Sequence, residues 1–313
     1  MPQSRPEPGS LRDDAGPDTL HRLPTEQVRP GLQDLDLRPT ADVVTTLLDA
    51  EANVPAALHA VRAELTAAVT HICRQFEQGG RLVYVGAGTP GRIAVLDAVE
   101  CAPTFGVEPD RVRAVVAGND TDDADESAED DTDSARERLG AVGVSNLDVV
   151  VGVTASGRTP FVVSALAAAR AAGATTMVVT NNPGQAAHLS VDHAVELATG
   201  PEVLAGSTRL TAGTAQKVAL NVLSTAAMIR WGRTYGAWMV GVQATNGKLQ
   251  RRALRIIQEI TGVDTATAEQ CLHSAGQHTQ TALVMLLLDV DAATARARLD
   301  AADGRVRIAV RKE

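Results

Sequence analysis

Aromatic residues are scarce in this chain of 313 residues, where phenylalanine, tryptophan and tyrosine together make up 2%. Proteins that bind single-stranded nucleic acids stack bases on aromatic side chains, so the composition argues against that role. The formal net charge of −9 argues the same way, because nucleic acids and anionic membranes attract basic surfaces. We therefore expect neither a nucleic acid nor a membrane as the main partner.

Cysteines and long apolar segments are also few. The three cysteines are far apart and odd in number, so they form neither a disulfide framework nor a zinc-binding spacing. We assign none of the seven scattered histidines to a metal. No stretch approaches the ~20 apolar residues of a membrane span, and the N-terminus lacks the apolar centre of a signal peptide. The expected compartment is the cytoplasm.

A repeated strand–turn–helix pattern fills the central part of the chain. Short β-branched runs alternate with segments of helical periodicity, which is typical of an open, mostly parallel α/β sheet flanked by helices. Such sheets bind ligands beyond the carboxyl ends of their strands. The predicted strands are Leu82–Val85, Val112–Ala117, Val149–Val153, Thr176–Val179 and His193–Glu196, and the helices between them are Arg92–Cys101, Ala135–Leu139, Pro160–Ala171 and Gly184–Leu189.

The flanking segments differ in composition from this pattern. Residues 1–24 are rich in proline, aspartate and glycine and are expected to form a disordered tail, whereas residues 25–36 are expected to pack on the body. Helical periodicity predicts one or two helices over residues 40–77 and a long helix over 211–233. We expect an α/β domain over residues 25–248 and a small all-helical domain over 249–313, with helices at Leu249–Thr261, Ala266–Ala275, Gln280–Leu288 and Ala292–Ala301.

The turn after the first strand has the sequence GAGTPG. Gly86, Gly88 and Gly91 let the backbone turn sharply and approach a ligand closely. Thr89 is expected to cap the following helix, and Pro90 suits its first position. The free N–H groups and positive dipole end of that helix favour an anion such as phosphate.

Glu100 is the second notable residue of this segment. It shares a helix face with Ile93 and Leu96, because the three are spaced i, i+3 and i+7. Pro103 is expected to end the helix just past Glu100. We therefore predict a partly buried carboxyl group at one end of the helix, with a structural ion pair as the alternative.

A second turn of the same type follows the third strand, in the sequence VTASGRTP. Ser156, Gly157 and Thr159 offer hydroxyl and backbone donors, with an ordinary helix N-cap as the alternative. Two anion-binding turns suit a phosphorylated small molecule better than a dinucleotide. A dinucleotide fold needs only one such turn, and an acidic residue about 20 residues later. Asp110 stands at that distance but in a loop, which weakens the dinucleotide interpretation.

Two further polar segments complete the set of candidates. The acidic run at residues 120–133 is most simply a solvated loop, although any one of its carboxylates can still reach a pocket. The Gly-rich loop that opens the long helix at 211–233 carries Glu202, Ser207 and Arg209, which can line a polar ligand. Loop and capping chemistry is the alternative for these three residues.

Five segments, in order along the chain, resemble the N-acetylmuramic acid 6-phosphate etherases: GAGTPGRIAVLDAVECAPTFG, ESAED, VGVTASGRTP, GPEVLAGSTRLTAGTAQK and ATNGKL. That family, which shares a broader group with the glucokinase regulatory protein, has a flavodoxin-like sugar isomerase (SIS) fold with a small helical C-terminal domain. It acts as a homodimer without a metal and converts its substrate and water to N-acetylglucosamine 6-phosphate and D-lactate. The resemblance thus implies a phosphorylated amino sugar as ligand, no cofactor and a role in cell-wall recycling.

The resemblance also implies roles for individual residues. Glu100 and Glu129 match the two catalytic glutamates of the family. Asn246 and Lys248 are expected to reach the site of the partner subunit. The expected substrate-binding set is Gly88, Thr89, Gly91, Ser156, Gly157, Thr159, Glu202, Ser207, Arg209, Asn246 and Lys248.

The chain departs from the family pattern at four positions. Pro90 replaces a usual serine and removes a hydroxyl and a backbone donor from the first turn. Thr211 replaces a usual lysine, Ala102 a proline and Arg29 an asparagine. The first two changes bear on phosphate affinity and on the preferred substrate.

The expected chemistry uses both glutamates. Glu100, desolvated against Ile93 and Leu96, should hold a proton near neutral pH and protonate the lactyl ether oxygen. Glu129 should transfer the C2 proton, although the two roles can be exchanged. The alternatives are a sugar-phosphate sensor without catalysis, an aldose–ketose isomerase of the same fold and a nicotinamide-dependent oxidoreductase.

Overall fold

A computed structural model describes residues 21–118, 126–242 and 247–311. Its centre is a five-stranded sheet in which all neighbouring strands are parallel. The predicted strands are present and their order in the sheet is β2-β1-β3-β4-β5. Their bounds are β1 Leu82–Gly86, β2 Val112–Val116, β3 Val149–Val153, β4 Thr175–Thr180 and β5 His193–Glu196.

Both faces of the sheet are covered by helices, as a parallel sheet requires. Every residue of β1 and β3 is buried. One face packs on helices α3, α4 and α7, and the other on α5 and α6. The helices of this part are α1 Thr40–Glu51, α2 Asn53–Ala60, α3 Arg62–Glu77, α4 Gly88–Phe105, α5 Thr132–Val142, α6 Pro160–Ala171 and α7 Thr211–Arg230.

Helix α4 differs from its predicted form at both ends. It begins at Gly88, so Thr89 does not cap it and Pro90 is not its first residue. Pro103 lies inside the helix, which continues to Phe105 and ends at Gly106 in the left-handed conformation. The burial of Cys101 and Phe105 in this last stretch offsets the hydrogen bond that proline cannot donate.

Residues 1–20 of the predicted disordered tail lie outside the described residues, whereas residues 21–24 are ordered. Leu23 is buried, and Pro24–Glu26 forms a short 3₁₀ turn. The expected packing of residues 25–36 is confirmed at its first residue, because the Thr25 N–H donates to Asn182 Oδ1 at 3.2 Å. Residues 40–77 form three helices rather than one or two, with Pro55 in the first turn of the second.

Two short elements differ from the prediction. The helix expected at Gly184–Leu189 is only a 3₁₀ turn, Gln185–His188. A hairpin that sequence analysis missed, formed by strands β6 (Thr234–Tyr235) and β7 (Trp238–Met239), follows α7. Four residues are too few to show a strand periodicity in the sequence.

The C-terminal helices form a second apolar cluster around Ile256, Leu283 and Leu299, which also includes Val240. Within the described residues every helix is too short or too polar to span a membrane. The division of the chain at residues 24 and 248 stays a prediction. The helices of this cluster are α8 Gly247–Thr261, α9 Thr265–Ser274, α10 Thr279–Leu288, α11 Ala292–Ala301 and α12 Val306–Ala309.

Candidate active site

The two predicted anion-binding turns emerge side by side from the sheet. Strands β1 and β3 are neighbours, and Gly86 at the end of β1 is in register with Val153 at the end of β3. Neighbouring strands lie ~4.8 Å apart. The strand order reverses between β1 and β3, which is where open α/β sheets bind their ligands. The candidate site therefore lies at this edge of the sheet.

Glu129 reaches the first turn. It belongs to a 3₁₀ turn, Glu126–Asp130, and a Cβ atom added to Gly88 would lie 2.6 Å from its Oε1. Gly88 also has a φ of +56°, which favours glycine. The carboxylate thus lies beside the N-terminus of α4, where the helix dipole favours negative charge.

Close backbone packing holds this turn in place. A Cβ atom on Gly91 would lie 3.0 Å from the carbonyl oxygen of Gly86 and 3.2 Å from Val116 Cγ1. Glycine at these positions lets α4 begin directly above the sheet. The sequence correctly predicted a sharp turn here.

The second turn is organised by a hydroxyl network. Thr154 Oγ1 lies 2.8 Å from Thr159 Oγ1 and 3.4 Å from Ser156 Oγ, and it accepts from the Gly157 N–H at 3.3 Å. Thr159 precedes α6, but its side chain makes no capping hydrogen bond within the described residues. Thr159 is thus the N-cap residue of α6 by position, as the alternative interpretation expected, but its hydroxyl does not cap the helix. Sequence analysis missed Thr154, whose position directly after β3 was the available signal.

Gly157 is fixed by the next loop. Its φ is +74°, and a Cβ atom there would lie 2.6 Å from Gln185 Cβ. The Arg158 Nε–H donates to Gln185 Oε1 at 2.9 Å. The loop after β4 therefore supports the second turn from one side and leaves the half-buried Ser156 and Thr159 beside the site.

The third loop contributes mainly to the start of α7. Glu202 is 1% exposed, and it accepts from the Thr211 N–H at 3.1 Å and the Ala212 N–H at 2.9 Å. This is the capping alternative given for Glu202. Ser207 is half-buried and Arg209 is exposed. Helix α7 itself borders the first turn, because a Cβ atom on Gly213 would lie 3.6 Å from Thr89 Cγ2.

Glu100 is not near the other candidates within its own chain. Its side chain is exposed, and Leu96 beside it is 51% exposed, so the expected desolvation of Glu100 is wrong for a single chain. Glu100 follows Gly88 by twelve residues on one helix. At ~1.5 Å per residue, this places the two residues roughly 18 Å apart along the axis.

Asp97 is the buried carboxyl group of α4. Its Oδ2 accepts from the Tyr84 hydroxyl at 2.8 Å, and its Oδ1 accepts from Asn221 Nδ2 at 2.8 Å and Ser224 Oγ at 3.1 Å. Burial raises the pKa of Asp97, although these hydrogen bonds act in the opposite direction. Burial also raises the pKa of Tyr84, and the neighbouring Asp97 charge adds to that shift. Sequence analysis missed Asp97.

Lys248 is the last of the described candidates. Lys248 is exposed at the start of α8. Asn246 and residues 120–125 of the acidic segment lie outside the described residues. The described part of the chain contains no group of three or more histidine, cysteine or carboxylate side chains placed to bind a metal.

Comparison with known proteins identifies the type of domain that this chain contains. The profile described as "SIS domain" matches residues 134–226, and the profile of the glucokinase regulatory protein N-terminal SIS domain matches residues 64–170. A phosphoheptose isomerase structure from Francisella tularensis superposes with a TM-score of 0.48 at 16% identity, covering 61% of this chain and 98% of that one. The two profile matches, together with the parallel sheet flanked by helices, show that the protein has a SIS-type fold with an additional helical region.

Curated relatives identify the family. An N-acetylmuramic acid 6-phosphate etherase of Deinococcus radiodurans is 47% identical over 90% of this chain and 93% of its own. The enzyme of that name from Geobacillus thermodenitrificans is 47% identical over 93% and 99%, and the one from Mycolicibacterium smegmatis is 46% identical over 93% and 98%. This chain belongs to the N-acetylmuramic acid 6-phosphate etherase family.

Proposed function

We propose that this protein cleaves the D-lactyl ether of N-acetylmuramic acid 6-phosphate with water, giving N-acetylglucosamine 6-phosphate and D-lactate in the recycling of cell-wall sugars. The observation that carries this proposal is the pairing of a carboxylate with a hydroxyl-rich turn. Glu129 lies at Gly88, and the Thr154 network lies at the end of the neighbouring strand. The etherase names of the relatives support it.

The second turn is the better place for the phosphate. Ser156 and Thr159 offer hydroxyl groups there, and the N-terminus of α6 favours an anion. The first turn already holds the Glu129 carboxylate, and two anions this close repel each other. Glu129 therefore faces the sugar carbons while the phosphate group anchors the substrate.

The reaction proceeds by elimination and then addition. Opening of the sugar ring gives an aldehyde that makes the C2 hydrogen acidic, and Glu129 as a carboxylate removes it. A protonated carboxyl group, assigned to Glu100, donates its proton to the ether oxygen at C3, so that lactate leaves and a C2–C3 double bond forms. The same group, now ionised, takes a proton from water as the water oxygen adds to C3, and Glu129, after exchanging its proton with solvent, returns a proton to C2. The exchanged assignment of the two carboxyls stays open.

The proposal includes a homodimer in the cytoplasm, with no cofactor. Asn246 and Lys248 would reach the site of the partner subunit. The exposure of Lys248 at the start of α8 is compatible with that role. An α/β domain over residues 25–248 and a helical domain over 249–313 remain part of the same proposal.

The test is lactate release from N-acetylmuramic acid 6-phosphate in deuterated water, followed by NMR. We expect lactate together with deuterium at C2 of the product sugar. Release of lactate without deuterium at C2 contradicts the proton transfer at that carbon. If no lactate appears but the sugar phosphate raises the melting temperature, the protein is a sensor. Conversion to a ketose without lactate identifies an isomerase.

A further inference from the structure

Trp231 lies where the C-terminal helices meet the α/β part of the chain, in contact with two arginines. It follows α7 and is 3% exposed. The guanidinium carbon Cζ of Arg233 lies 3.5 Å from the centroid of its ring, and that of Arg111 lies 5.0 Å from the same ring. Both distances are typical of cation–π contacts. Arg305 lies beside them, because a Cβ atom on Gly232 would be 2.7 Å from its Cγ. We refer to Arg111, Trp231, Arg233 and Arg305 as the Trp231 cluster.

The positive charge of the Trp231 cluster is poorly compensated. Arg233 is 9% exposed, and its Nη2 contacts the carboxylate of Asp303 at 3.3 Å. The Asp303 side chain is 57% exposed, and an exposed carboxylate compensates a buried charge only weakly. Burial lowers the pKa of Arg233, and the charges of Arg111 and Arg305 add to that shift, whereas Asp303 opposes it. The cluster therefore has an excess of positive charge.

Two N–H donors of the cluster are buried without a hydrogen-bond partner among the described residues. They are Nε1 of Trp231 and Nε of Arg233. Buried polar groups in proteins almost always have a partner, because an unsatisfied donor costs free energy. The two donors belong to groups stacked 3.5 Å apart. A single acceptor ion, with hydrogen bonds of about 2.9 Å on two of its oxygens, can therefore serve both.

Neutralisation of the C-terminus of α7 is the structural alternative for these arginines, since the end of a helix favours cations. The backbone N–H groups of residues 231–233 already donate to the last carbonyl groups of α7, at 2.8–3.1 Å. Among the described residues each guanidinium group of the cluster makes one hydrogen bond, to Asp303, Gly80 or Ala302. A guanidinium group has five N–H donors. Capping of α7 therefore leaves most of these donors unexplained.

We propose that the Trp231 cluster binds a small oxyanion, which accepts hydrogen bonds from Trp231 Nε1 and Arg233 Nε and is held by the charges of Arg111 and Arg305. The planar fork of a guanidinium group matches the oxygens of phosphate and carboxylate groups. The route from solvent passes the exposed Asp303, whose carboxylate contacts Arg233 Nη2.

This site is separate from the candidate active site. Helix α7 contacts the first turn at Gly213, and Trp231 follows eighteen residues later. At ~1.5 Å per residue, the two positions are about 27 Å apart. Because Asp303 and Arg305 belong to the C-terminal helices whereas Arg111 precedes β2, a bound oxyanion ties the two parts of the chain together.

The fluorescence of Trp231 provides the test. The chain has two tryptophans, so Trp238→Phe leaves Trp231 as the only one. Titration of this variant with inorganic phosphate at constant ionic strength should give a saturable change in emission. Arg233→Gln in the same background should raise the apparent Kd at least tenfold, because a hydrogen bond between charged groups is worth that factor. Arg307→Gln, which removes an exposed arginine of α12, should leave the Kd unchanged.

Ser156→Ala separates this site from phosphate bound at the second turn. The emission change should persist in Ser156→Ala. Loss of the change in Ser156→Ala, together with its retention in Arg233→Gln, overturns the proposal. A titration with acetate distinguishes the two sources of the oxyanion, since a response to acetate alone assigns the site to carboxylates. If neither anion changes the emission, the donors are served by water and the proposal is wrong.

Trp231→Phe tests the indole donor without removing a charge. Phenylalanine retains the ring contact with Phe76, whose centroid lies 5.1 Å away, and lacks only the N–H group. In a Ser156→Ala background, millimolar phosphate should raise the midpoint of urea unfolding, and Trp231→Phe should reduce this rise at least by half. An equal rise in both proteins is a general salt effect and contradicts the proposed site.

Discussion

The Glu129 carboxylate and Gly88 lie so close that a Cβ atom on Gly88 would be 2.6 Å from Oε1. Gly88→Ala should therefore displace the carboxylate and strain a backbone whose φ is +56°. We expect a loss of 1–2 kcal/mol in the free energy of unfolding, roughly the cost of a left-handed residue, and a fall of roughly 10² in kcat/KM. Urea unfolding and lactate release measure the two effects.

Gly79→Ala is the matched control for that change. Its φ is +88°, but among the described residues no heavy atom beyond its immediate chain neighbours lies within 4 Å of the added Cβ. It should show a similar loss of stability with unchanged kcat/KM. Equal losses of activity in both variants would contradict a specific effect on Glu129.

Asp97 should make stability depend on pH. Burial raises its folded pKa above the ordinary 3.8, so the folded state binds a proton that the unfolded state has released. Stability from this group is present below pH 3.8 and falls as pH rises through the folded pKa. The fall amounts to about 1.4 kcal/mol for each unit of pKa difference.

Asp97→Asn carries no charge at any pH and should lack this fall. As pH rises from 4 to 7, the wild-type protein should therefore lose free energy of unfolding relative to the Asp97→Asn variant. Urea unfolding across this range measures the difference. A difference that stays constant with pH would refute the assignment.

The contact between His71 and His193 should lower the free energy of unfolding at acidic pH. His193 Nε2 lies 3.2 Å from His71 Nδ1, and burial, followed by the charge of His71, lowers the pKa of His193 below 6.5. The folded state resists protonation, so stability is lost as pH falls below 6.5 towards the folded pKa. His193→Gln should reduce this loss in urea unfolding at pH 5.5 compared with pH 7.5. His59→Gln, at an exposed position, should leave the loss unchanged.

Thr211→Lys should add an ion pair with Glu51. Thr211 Oγ1 donates to Glu51 Oε1 at 3.4 Å, and Glu51 Oε2 is buried without a hydrogen-bond partner among the described residues. A lysine ammonium there can satisfy that oxygen, and we expect a gain of about 1 kcal/mol in the free energy of unfolding. The gain should vanish in a Glu51→Gln background. A gain that persists there has another source.

Leu96→Asp should separate the proposed dimer. The side chain is 51% exposed in the single chain, so the fold should survive, but a carboxylate in place of an apolar side chain makes burial of this face between subunits unfavourable. Light scattering should show a monomer, with kcat/KM reduced by a factor of roughly 10². Leu37→Asp, at a position that is 81% exposed, should remain dimeric and active. A fully active monomer would contradict the shared site.

The strands and both turns could be predicted because their signals are local. Val149–Val153 is a continuous apolar run, and the glycines of the first turn act on the backbone directly. The bounds of α4 were predicted less accurately than the strands and turns. Pro103 is a helix breaker in isolation, and only the burial of Phe105 shows why the helix continues past it.

The amino-acid sequence by itself determined the order of strands and helices, the two neighbouring turns and the family. It also showed that Glu100 and Leu96 share one side of α4. Periodicity cannot tell which side of a helix meets the domain when both carry apolar residues, and here Asp97 lies on the packed side. Only the tertiary structure decided that Glu100 is exposed and that Glu129 reaches Gly88, because both depend on how distant segments pack together.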